Sequence, residues 1–169
     1  MARRSPASSG APTPAVQVLL DAGVAHRVLS FDAGADAAGP GLGVQAAEAL
    51  GVPPERTFKT LMVTLPDGDL AACCIPVSGR LDLRAAAAAL GVKRVALAEL
   101  AVAERRTGYV RGGISPLGQR HRHRVVVDAS ALAGGRMYVS AGQRGLDLEL
   151  DPEDLVRLTQ AVVADVVAA

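Results

Sequence analysis

Aromatic side chains are scarce in this chain of 169 residues. They make up 2% of the sequence, with two Phe, two Tyr and no Trp. Proteins that bind single-stranded nucleic acid stack bases on exposed aromatic rings, so this composition argues against a base-stacking surface. The formal net charge of +1 gives no overall attraction to nucleic acid, so any contact with RNA must come from a local patch of cations. Half of the residues are hydrophobic, which predicts one domain with an aliphatic core.

Cysteine is almost absent as well. Cys73 and Cys74 are the only two cysteines, and they are adjacent. Neighbours on a strand point to opposite faces, so these thiols cannot form a CxxC redox pair or half of a zinc site. We interpret them as small buried hydrophobic side chains, and the lack of a disulfide framework favours a reducing, cytoplasmic location. We expect no metal and no other cofactor.

The chain also lacks a long apolar segment. Residues 1–12 are rich in Pro and Ser after Arg3 and Arg4, without the apolar centre of a signal peptide, and they predict a disordered tail. No segment qualifies as a membrane span, so we expect no membrane partner. Residues 13–169 are expected to form a single domain.

What is present is a series of short helices and strands in mixed order. Thr13 before Pro14 predicts a helix start, and the turn at 66–69 between two apolar runs predicts a β-hairpin. Strands and helices do not alternate regularly, which indicates an α+β fold with a mixed, curled sheet. We interpret the Gly- and Ala-rich loop 32–43 as a flap. Predicted helices are 14–22, 44–50, 85–90, 97–106 and 152–168; predicted strands are 25–31, 58–65, 70–77, 93–96, 125–127, 137–140 and 146–150.

Lys59 is the first candidate for a functional residue. Only two of the eighteen cationic side chains are lysines, and Lys59 lies inside an apolar run predicted to be a strand. Lysine is a compact charge that partial burial can tune, whereas arginine is a broad, permanently charged fork. The alternative is a lysine at a strand edge whose stem reaches out to water. Lys93, just after a helix stop, is interpreted as solvated.

A Gly-rich segment, 107–118, is the second candidate. Gly112 and Gly113 let the backbone approach a ligand, and Pro116 favours an extended conformation at Ser115, so N–H groups could be aimed at a carbonyl or phosphate oxygen. The segment has neither P-loop nor dinucleotide-binding spacing. The alternative is a plain structural turn.

A basic run follows this segment. Arg120, Arg122 and Arg124 alternate with His121 and His123. The two histidines could face one side of a strand, but no Cys, Asp or Glu is nearby to complete a metal site. The run is either an idle solvated face or, if it borders the Gly-rich segment, a cradle for a nucleic-acid backbone.

Two further candidates lie in the last two predicted strands, Ser140 in 137–140 and Asp147 in 146–150. Ser140 and Asp147 flank a flexible turn, and without an adjacent base or a GxSxG elbow they are predicted to form hydrogen bonds rather than to act as nucleophiles. Asp147 could bind a ligand amine, pair with Lys59, or simply lie in water at a strand end. Leu146, Leu148 and Leu150 alternate with acidic residues, which predicts one buried face.

Four blocks, at 58–61, 76–83, 107–118 and 138–150, together resemble the YbaK type of aminoacyl-tRNA deacylase in order and spacing. The resemblance covers nearly all of residues 13–168. It implies a mixed, partly barrelled sheet flanked by helices. It also implies a stand-alone editing domain that removes cysteine wrongly attached to the proline tRNA and works with prolyl-tRNA synthetase.

The resemblance also implies roles for individual residues. Lys59 matches the family's essential lysine, and Gly112 and Pro116 match the ends of its GxxxP substrate loop. The family commonly has a tyrosine where this chain has Phe31, so a phenolic hydroxyl is lost although ring packing can persist. The residues expected to bind substrate are Phe31, Thr60, Gly112, Gly113, Ile114, Ser115, Pro116, Ser140 and Asp147.

The mechanism implied by the resemblance needs no nucleophile from the protein. The thiol of a cysteinyl ester attacks its own carbonyl, and the protein holds the reactive geometry and stabilises charge on the carbonyl oxygen. One alternative is removal of alanine from the same tRNA, with water as the nucleophile. Another is a non-catalytic module that binds aminoacyl-tRNA or the synthetase. If specificity for the tRNA comes from prolyl-tRNA synthetase, as the resemblance implies, we expect Arg120, Arg122 and Arg124 to contact the acceptor-stem backbone.

Overall fold

The computed structural model describes residues 11–33 and 41–169, so most of the predicted tail and residues 34–40 of the predicted flap lie outside the description. The helices are α1 (Pro14–Ala22), α2 (Leu42–Leu50), α3 (Leu83–Leu90), α4 (Leu100–Thr107) and α5 (Pro152–Thr159). The strands are β1 (His26–Ser30), β2 (Phe58–Thr64), β3 (Leu70–Pro76), β4 (Ala96–Leu97), β5 (Arg124–Asp128), β6 (Met137–Gln143), β7 (Leu146–Leu150) and β8 (Val162–Ala164). No helix in these ranges is long and apolar enough to cross a membrane.

The strands form two sheets. In the larger, ordered β4-β2-β3-β5-β8, β2 is antiparallel to β3 and β4, whereas β5 is parallel to both β3 and β8. The smaller sheet, ordered β1-β7-β6, is antiparallel throughout. The predicted α+β class with a mixed sheet is therefore confirmed. The predicted partial barrel is matched only loosely, because the sheets stay open and the two-residue β4 and three-residue β8 are too short to continue pairing around a barrel.

The hairpin of β2 and β3 forms as predicted. Its turn needs Gly68 in the left-handed region, at φ +88°, and Asp67 Oδ1 accepts a hydrogen bond from the Asp69 N–H at 2.9 Å. All of β3 is buried, because β2 and β5 flank it and both of its faces are covered. Cys73 and Cys74 are buried on opposite faces, each in a different hydrophobic cluster, which confirms their interpretation as core residues.

The two clusters lie on the two faces of the larger sheet. One is built around Leu19 of α1, Leu148 of β7 and Leu155 of α5, and the other around Leu90 of α3 and Val166 after β8. The smaller sheet belongs to the first cluster only. Its β6 lies against β2 of the larger sheet, and an isolated bridge pairs Tyr138 of β6 with Thr57, just before β2.

The predicted C-terminal helix is too long. α5 ends at Thr159, whose hydroxyl donates to the Leu155 carbonyl oxygen at 2.7 Å, and Gln160 then adopts a left-handed conformation with φ +53°. The chain continues as β8, with Val162 opposite Val126 of β5. Branched valines favour a strand over another helical turn once a neighbouring strand is available to pair with them.

The predicted strand 93–96 and the predicted helix start at 97 are also wrong. Lys93 lies exposed in a turn, as its solvated interpretation requires. Strand pairing is limited to Ala96 and Leu97, which face Thr64 and Val63 of β2, and α4 begins only at Leu100. Because β4 stops here, the first half of β2 has only β3 as a strand neighbour within its sheet.

Candidate functional site

A pocket of about 400 Å³ opens beside the first half of β2. Its walls come from the end of β1, the start of α2, the Gly-rich segment and the turn between β6 and β7. Its lining residues are Phe31, Ala33, Gly41, Leu42, Gly43, Val44, Ala46, Thr57, Phe58, Lys59, Thr60, Leu61, Met62, Val77, Ala98, Leu100, Ala103, Arg111, Gly112, Ile114, Arg144, Gly145 and Asp147. Six of the predicted site residues are among them: Phe31, Lys59, Thr60, Gly112, Ile114 and Asp147.

Lys59 lies half-buried in this pocket. Adjacent residues on a strand point to opposite faces, yet Lys59 and Thr60 both reach the pocket because it opens along the strand edge that β4 leaves free. Burial lowers the pKa of the Lys59 ammonium below its ordinary value, and the nearby Arg80 guanidinium lowers it further. A partly buried ammonium attracts a negative group more strongly than a fully solvated one, because the effective dielectric constant around it is lower.

Glycine is required at positions 112 and 113 for two different structural reasons. Gly112 has φ +82°, in the left-handed region, and lines the pocket. A Cβ on Gly113 would lie 3.0 Å from the backbone nitrogen of Arg144, so glycine allows the Gly-rich segment to pack against the turn between β6 and β7. The Gly113 N–H already donates to the Val110 carbonyl oxygen at 2.9 Å, which leaves it unavailable to a ligand.

Ser115 and Pro116 are buried and do not line the pocket. The Ser115 hydroxyl accepts a hydrogen bond from the Leu117 N–H at 3.3 Å, and the buried Tyr109 hydroxyl donates to the Leu117 carbonyl oxygen at 2.7 Å. Both bonds lie within the Gly-rich segment, and the segment is fastened to the domain by Tyr109 and Leu117, which are buried in the hydrophobic core. The structure thus places Ser115 and Pro116 behind the pocket wall that Gly112 and Ile114 form.

Asp147 is 7% exposed, so it does not lie in water at a strand end. Burial raises the pKa of its carboxyl group from 3.8 to about 7. Among the described residues it forms no ion pair with Lys59, although both line the pocket. Ser140 faces Asp147 across β6 and β7, but its hydroxyl accepts from the Gly142 N–H at 3.1 Å and it does not reach the pocket lining.

The prediction that β7 buries one face is wrong. Glu149, like Asp147, is buried, with 6% exposure. Arg27 donates two hydrogen bonds to its carboxylate, at 2.9 and 2.5 Å, and the Tyr138 hydroxyl donates a third at 2.8 Å. The Arg136 guanidinium lies 3.7 Å away. These partners replace the water that the sequence pattern predicted on this face.

The arginines of the basic run lie away from the pocket lining. All three are exposed: Arg120 donates to the Arg105 carbonyl oxygen at 3.3 Å, Arg122 to Gln160 at 2.5 Å, and Arg124 to the Leu90 carbonyl oxygen at 2.8 Å. His123, in contrast, is buried with 7% exposure. No group of three potential metal-ligating side chains occurs in the described ranges.

Two arginines outside the basic run, which the sequence pattern does not identify as site residues, line the pocket. Arg111 and Arg144 are exposed at its rim, and Arg144 Nε donates to the Arg111 carbonyl oxygen at 2.7 Å. The signal for Arg111 was its place inside the Gly-rich segment. Arg144 follows a predicted strand, and only the packing of Gly113 against that turn brings the two together.

Comparison with known proteins agrees with this architecture. The family model of the aminoacyl-tRNA editing domain matches residues 42–158, more than half of the chain. A protein of Enterococcus faecalis provisionally named Cys-tRNA(Pro)/Cys-tRNA(Cys) deacylase EbsC is 37% identical over 120 residues, which are 71% of this chain and 73% of that protein. The alignment includes most of the folded domain.

Solved structures show the same fold. The hypothetical protein APE2540 matches with a TM-score of 0.82 and 29% identity, over 92% of this chain and 100% of its own. A protein provisionally described as a trans-editing enzyme for prolyl-tRNA synthetase matches with a TM-score of 0.78 and 22% identity, over 94% of this chain and 100% of its own. The resemblance inferred from four sequence blocks is confirmed, and the chain belongs to the aminoacyl-tRNA editing domain family.

Proposed function

We propose that this editing domain hydrolyses the aminoacyl ester of mischarged tRNA, with Cys-tRNA(Pro) as its substrate, as a stand-alone factor. Membership of the editing family supports deacylation, and the name of the Enterococcus faecalis relative supports a cysteinyl ester. We take prolyl-tRNA synthetase as the partner, because a protein of the same fold is described as a trans-editing enzyme for that synthetase.

The observation that carries the mechanism is the composition of the pocket wall. Among the described residues that line it there is no Cys, Ser or His, whereas Lys59 and Asp147 are both present. Cleavage by the substrate's own thiol requires no protein nucleophile. The thiol loses its proton and its sulfur bonds to the ester carbonyl carbon, the bond from that carbon to the ribose oxygen breaks, and the ribose oxygen takes up the proton that the thiol released. Water then opens the cyclic thioester and releases cysteine.

In this mechanism the two charged groups have different tasks. Lys59 stabilises negative charge on the carbonyl oxygen or contacts the terminal nucleotide, since its half-buried ammonium faces the pocket. Asp147 binds the α-amine of the cysteinyl group. An α-amino group in a peptide has a pKa of about 8, and the pKa of Asp147 is about 7, so both groups titrate near neutral pH and the charge of a bound ammonium favours the carboxylate form of Asp147.

The tRNA itself meets two groups of cations. Arg111 and Arg144 at the rim bind phosphates of the 3′ end, because a guanidinium forms paired hydrogen bonds with phosphate oxygens. Arg120, Arg122 and Arg124 contact the acceptor-stem backbone. None of these contacts reads a base sequence, so identification of the tRNA is left to prolyl-tRNA synthetase.

The decisive experiment compares three esters on the same tRNA: Cys-tRNA(Pro), Ser-tRNA(Pro) and Ala-tRNA(Pro). Serine has nearly the shape of cysteine but a much weaker nucleophile, so fast release of Cys alone is expected. Equal rates for Cys and Ser would overturn the thiol mechanism and leave deacylation standing. Preferred release of Ala would identify an alanine-specific enzyme. Release no faster than in buffer for all three would favour the non-catalytic binding module.

A further inference from the structure

A chain of polar groups lies behind the pocket wall, in which the partly buried Gln119 links the buried Ser115 and His123. His123 Nδ1 is 2.7 Å from Gln119 Oε1, and Gln119 Nε2 is 2.9 Å from the Ser115 carbonyl oxygen. Gln119 Nε2 also lies 3.6 Å from the sulfur of Met62, which lines the pocket. His123 comes from the basic run that the sequence predicts to be solvated, but only 7% of it is exposed.

The direction of these hydrogen bonds follows from their ends. The Ser115 carbonyl can only accept, so the Gln119 amide must donate to it and must present its oxygen to His123. His123 Nδ1 therefore carries a proton and donates it to Gln119. The opposite ring nitrogen, Nε2, is buried without a hydrogen-bond partner in the described part of the chain.

The surroundings keep this imidazole neutral. Burial is the main cause that lowers the pKa of His123, and the charge of Arg106 lowers it further, as does His121 to a smaller extent. Asp69 acts in the opposite direction, but its carboxylate already accepts a hydrogen bond from Arg106 at 2.8 Å. The Gln119 bond requires a proton on Nδ1, and in the neutral imidazole that proton leaves Nε2 without one.

We propose that His123 and Gln119 are positioning residues that hold the Gly-rich segment against the pocket. Pro116 has no N–H, so the peptide bond between Ser115 and Pro116 can be held only through the Ser115 carbonyl oxygen. The Gln119 amide donates a hydrogen bond to that oxygen, and the hydrogen bond from His123 fixes the orientation of the Gln119 amide. Ile114 and Gly112, which line the pocket, lie immediately before this anchored peptide.

This inference rests on the proposed deacylase function for its effect on rate, but not for its effect on structure. A catalytic segment displaced by about 1 Å can lose about 100-fold in rate. Loss of the anchor should therefore lower the rate of ester cleavage on the enzyme by about tenfold or more. Lys59 and Asp147 remain in place, so binding of the tRNA should change little.

The test uses two matched variants at each position. Gln119→Glu keeps the acceptor for His123 but cannot donate to the Ser115 carbonyl, whereas Gln119→Leu removes both bonds. His123→Asn places an amide N–H where Nδ1 stood, and His123→Leu removes it. His121→Asn, at the exposed neighbouring histidine, serves as the control.

Two readouts are taken on the full chain: the single-turnover rate of Cys-tRNA(Pro) cleavage and the backbone amide NMR shifts of residues 112–117. We expect Gln119→Glu, Gln119→Leu and His123→Leu to lower the rate at least tenfold and to move these shifts. The cleavage rates of His123→Asn and His121→Asn should stay within about twofold of the wild-type rate, since both variants keep an N–H group that donates to Gln119.

Outcomes separate the two proposals. If the wild type cleaves no aminoacyl ester but Gln119→Glu and His123→Leu still move the shifts of residues 112–117, the proposed function fails and the positioning role stands. If Gln119→Glu and His123→Leu leave both the rate and the shifts unchanged, the positioning role is overturned. A loss in His123→Leu that His123→Asn does not restore would also overturn it, because packing rather than the N–H would then be responsible.

Discussion

Asp147 and Glu149 are two carboxyl groups on one strand whose pKa values are shifted in opposite directions. They lie two residues apart on the same face of β7 and are almost equally buried, with 7% and 6% exposure. Burial raises the pKa of Asp147 to about 7. The pKa of Glu149 is lowered, chiefly because Arg27 donates hydrogen bonds to it, with a further contribution from Tyr138. Burial alone therefore does not decide the charge of an acid.

The difference comes from the neighbouring strands. Glu149 faces Arg27 on β1 and Tyr138 on β6, and both donate to it. Asp147 faces Leu29 and Ser140 at the corresponding positions, and neither donates to it among the described hydrogen bonds. The partner that Asp147 lacks among the described residues is one that a ligand can supply. A buried acid of raised pKa that opens onto a pocket is the usual signature of a functional residue.

The largest effect on activity is expected from substitution of Lys59, the cation that lines the same pocket as Asp147. Lys59→Ala should reduce Cys-tRNA(Pro) cleavage to the rate in buffer, and Lys59→Arg should not restore it, because a broad planar fork cannot replace a compact cation. Single-turnover deacylation measures this, and a thermal unfolding midpoint close to the wild type excludes misfolding. Lys59→Ala with most of its activity would remove Lys59 from the site.

Asp147→Asn should come next and should act in opposite directions on rate and stability. If the carboxylate binds the α-amine as proposed, its loss should lower kcat/KM by about tenfold to 100-fold, as for a hydrogen bond to a charged group. The folded protein should meanwhile become more stable, since a desolvated charge is removed. A loss of stability in Asp147→Asn would mean that the carboxylate has a partner in the fold.

The gain in stability should depend on pH. The pKa of Asp147 rises on folding from 3.8 to about 7, so the folded state binds the proton more tightly and loses stability as pH rises between these values. This corresponds to about 4 kcal/mol as an upper limit. Denaturant titrations from pH 4 to 8 should show Asp147→Asn gaining on the wild type up to about pH 7 and a constant difference above it. A difference that is already constant below that pH would contradict the raised pKa.

Glu149→Gln should give the reverse result. It should lower the free energy of unfolding by about 2 kcal/mol near pH 7, because hydrogen bonds from Arg27 and Tyr138 to a charged acceptor are weakened. The pKa of Glu149 is lowered on folding, so this stabilisation is present above the ordinary pKa and disappears as pH falls. Activity per folded molecule should be unchanged. Glu153→Gln, at an exposed position on α5, is the matched control.

The smallest effect is expected far from both carboxylates. Reversing the charges of Arg120, Arg122 and Arg124 to Glu should weaken binding of every tRNA by a similar factor. It should flatten the slope of log affinity against log salt by about one for each lost phosphate contact. The control reverses the same number of charges at other exposed cations, Arg84, Lys93 and Arg94. Equal slopes in all three proteins would show that the basic run is an idle surface.

Much of the fold is determined by local sequence. Thr13 before Pro14 accepts the N–H of Val16 and begins α1, and Gly23 ends it in the left-handed region. The Asp67-Gly68 turn forms the hairpin, and Lys59 stands out because a lone cation in an apolar strand needs no distant partner to be noticed. Each of these signals spans only a few residues, which is the range over which backbone propensity and capping act.

Tertiary structure decided what depends on distant neighbours. Gln160 ends α5, and the valines after it form β8 because β5 offers an edge to pair with. Asp147 and Glu149 diverge because of residues on two other strands, and His123 is buried although its neighbours in the basic run are exposed. Local pattern assigns a side chain to a face of its own strand. What covers that face, and therefore its charge and its access to substrate, is set by contacts between segments far apart in sequence.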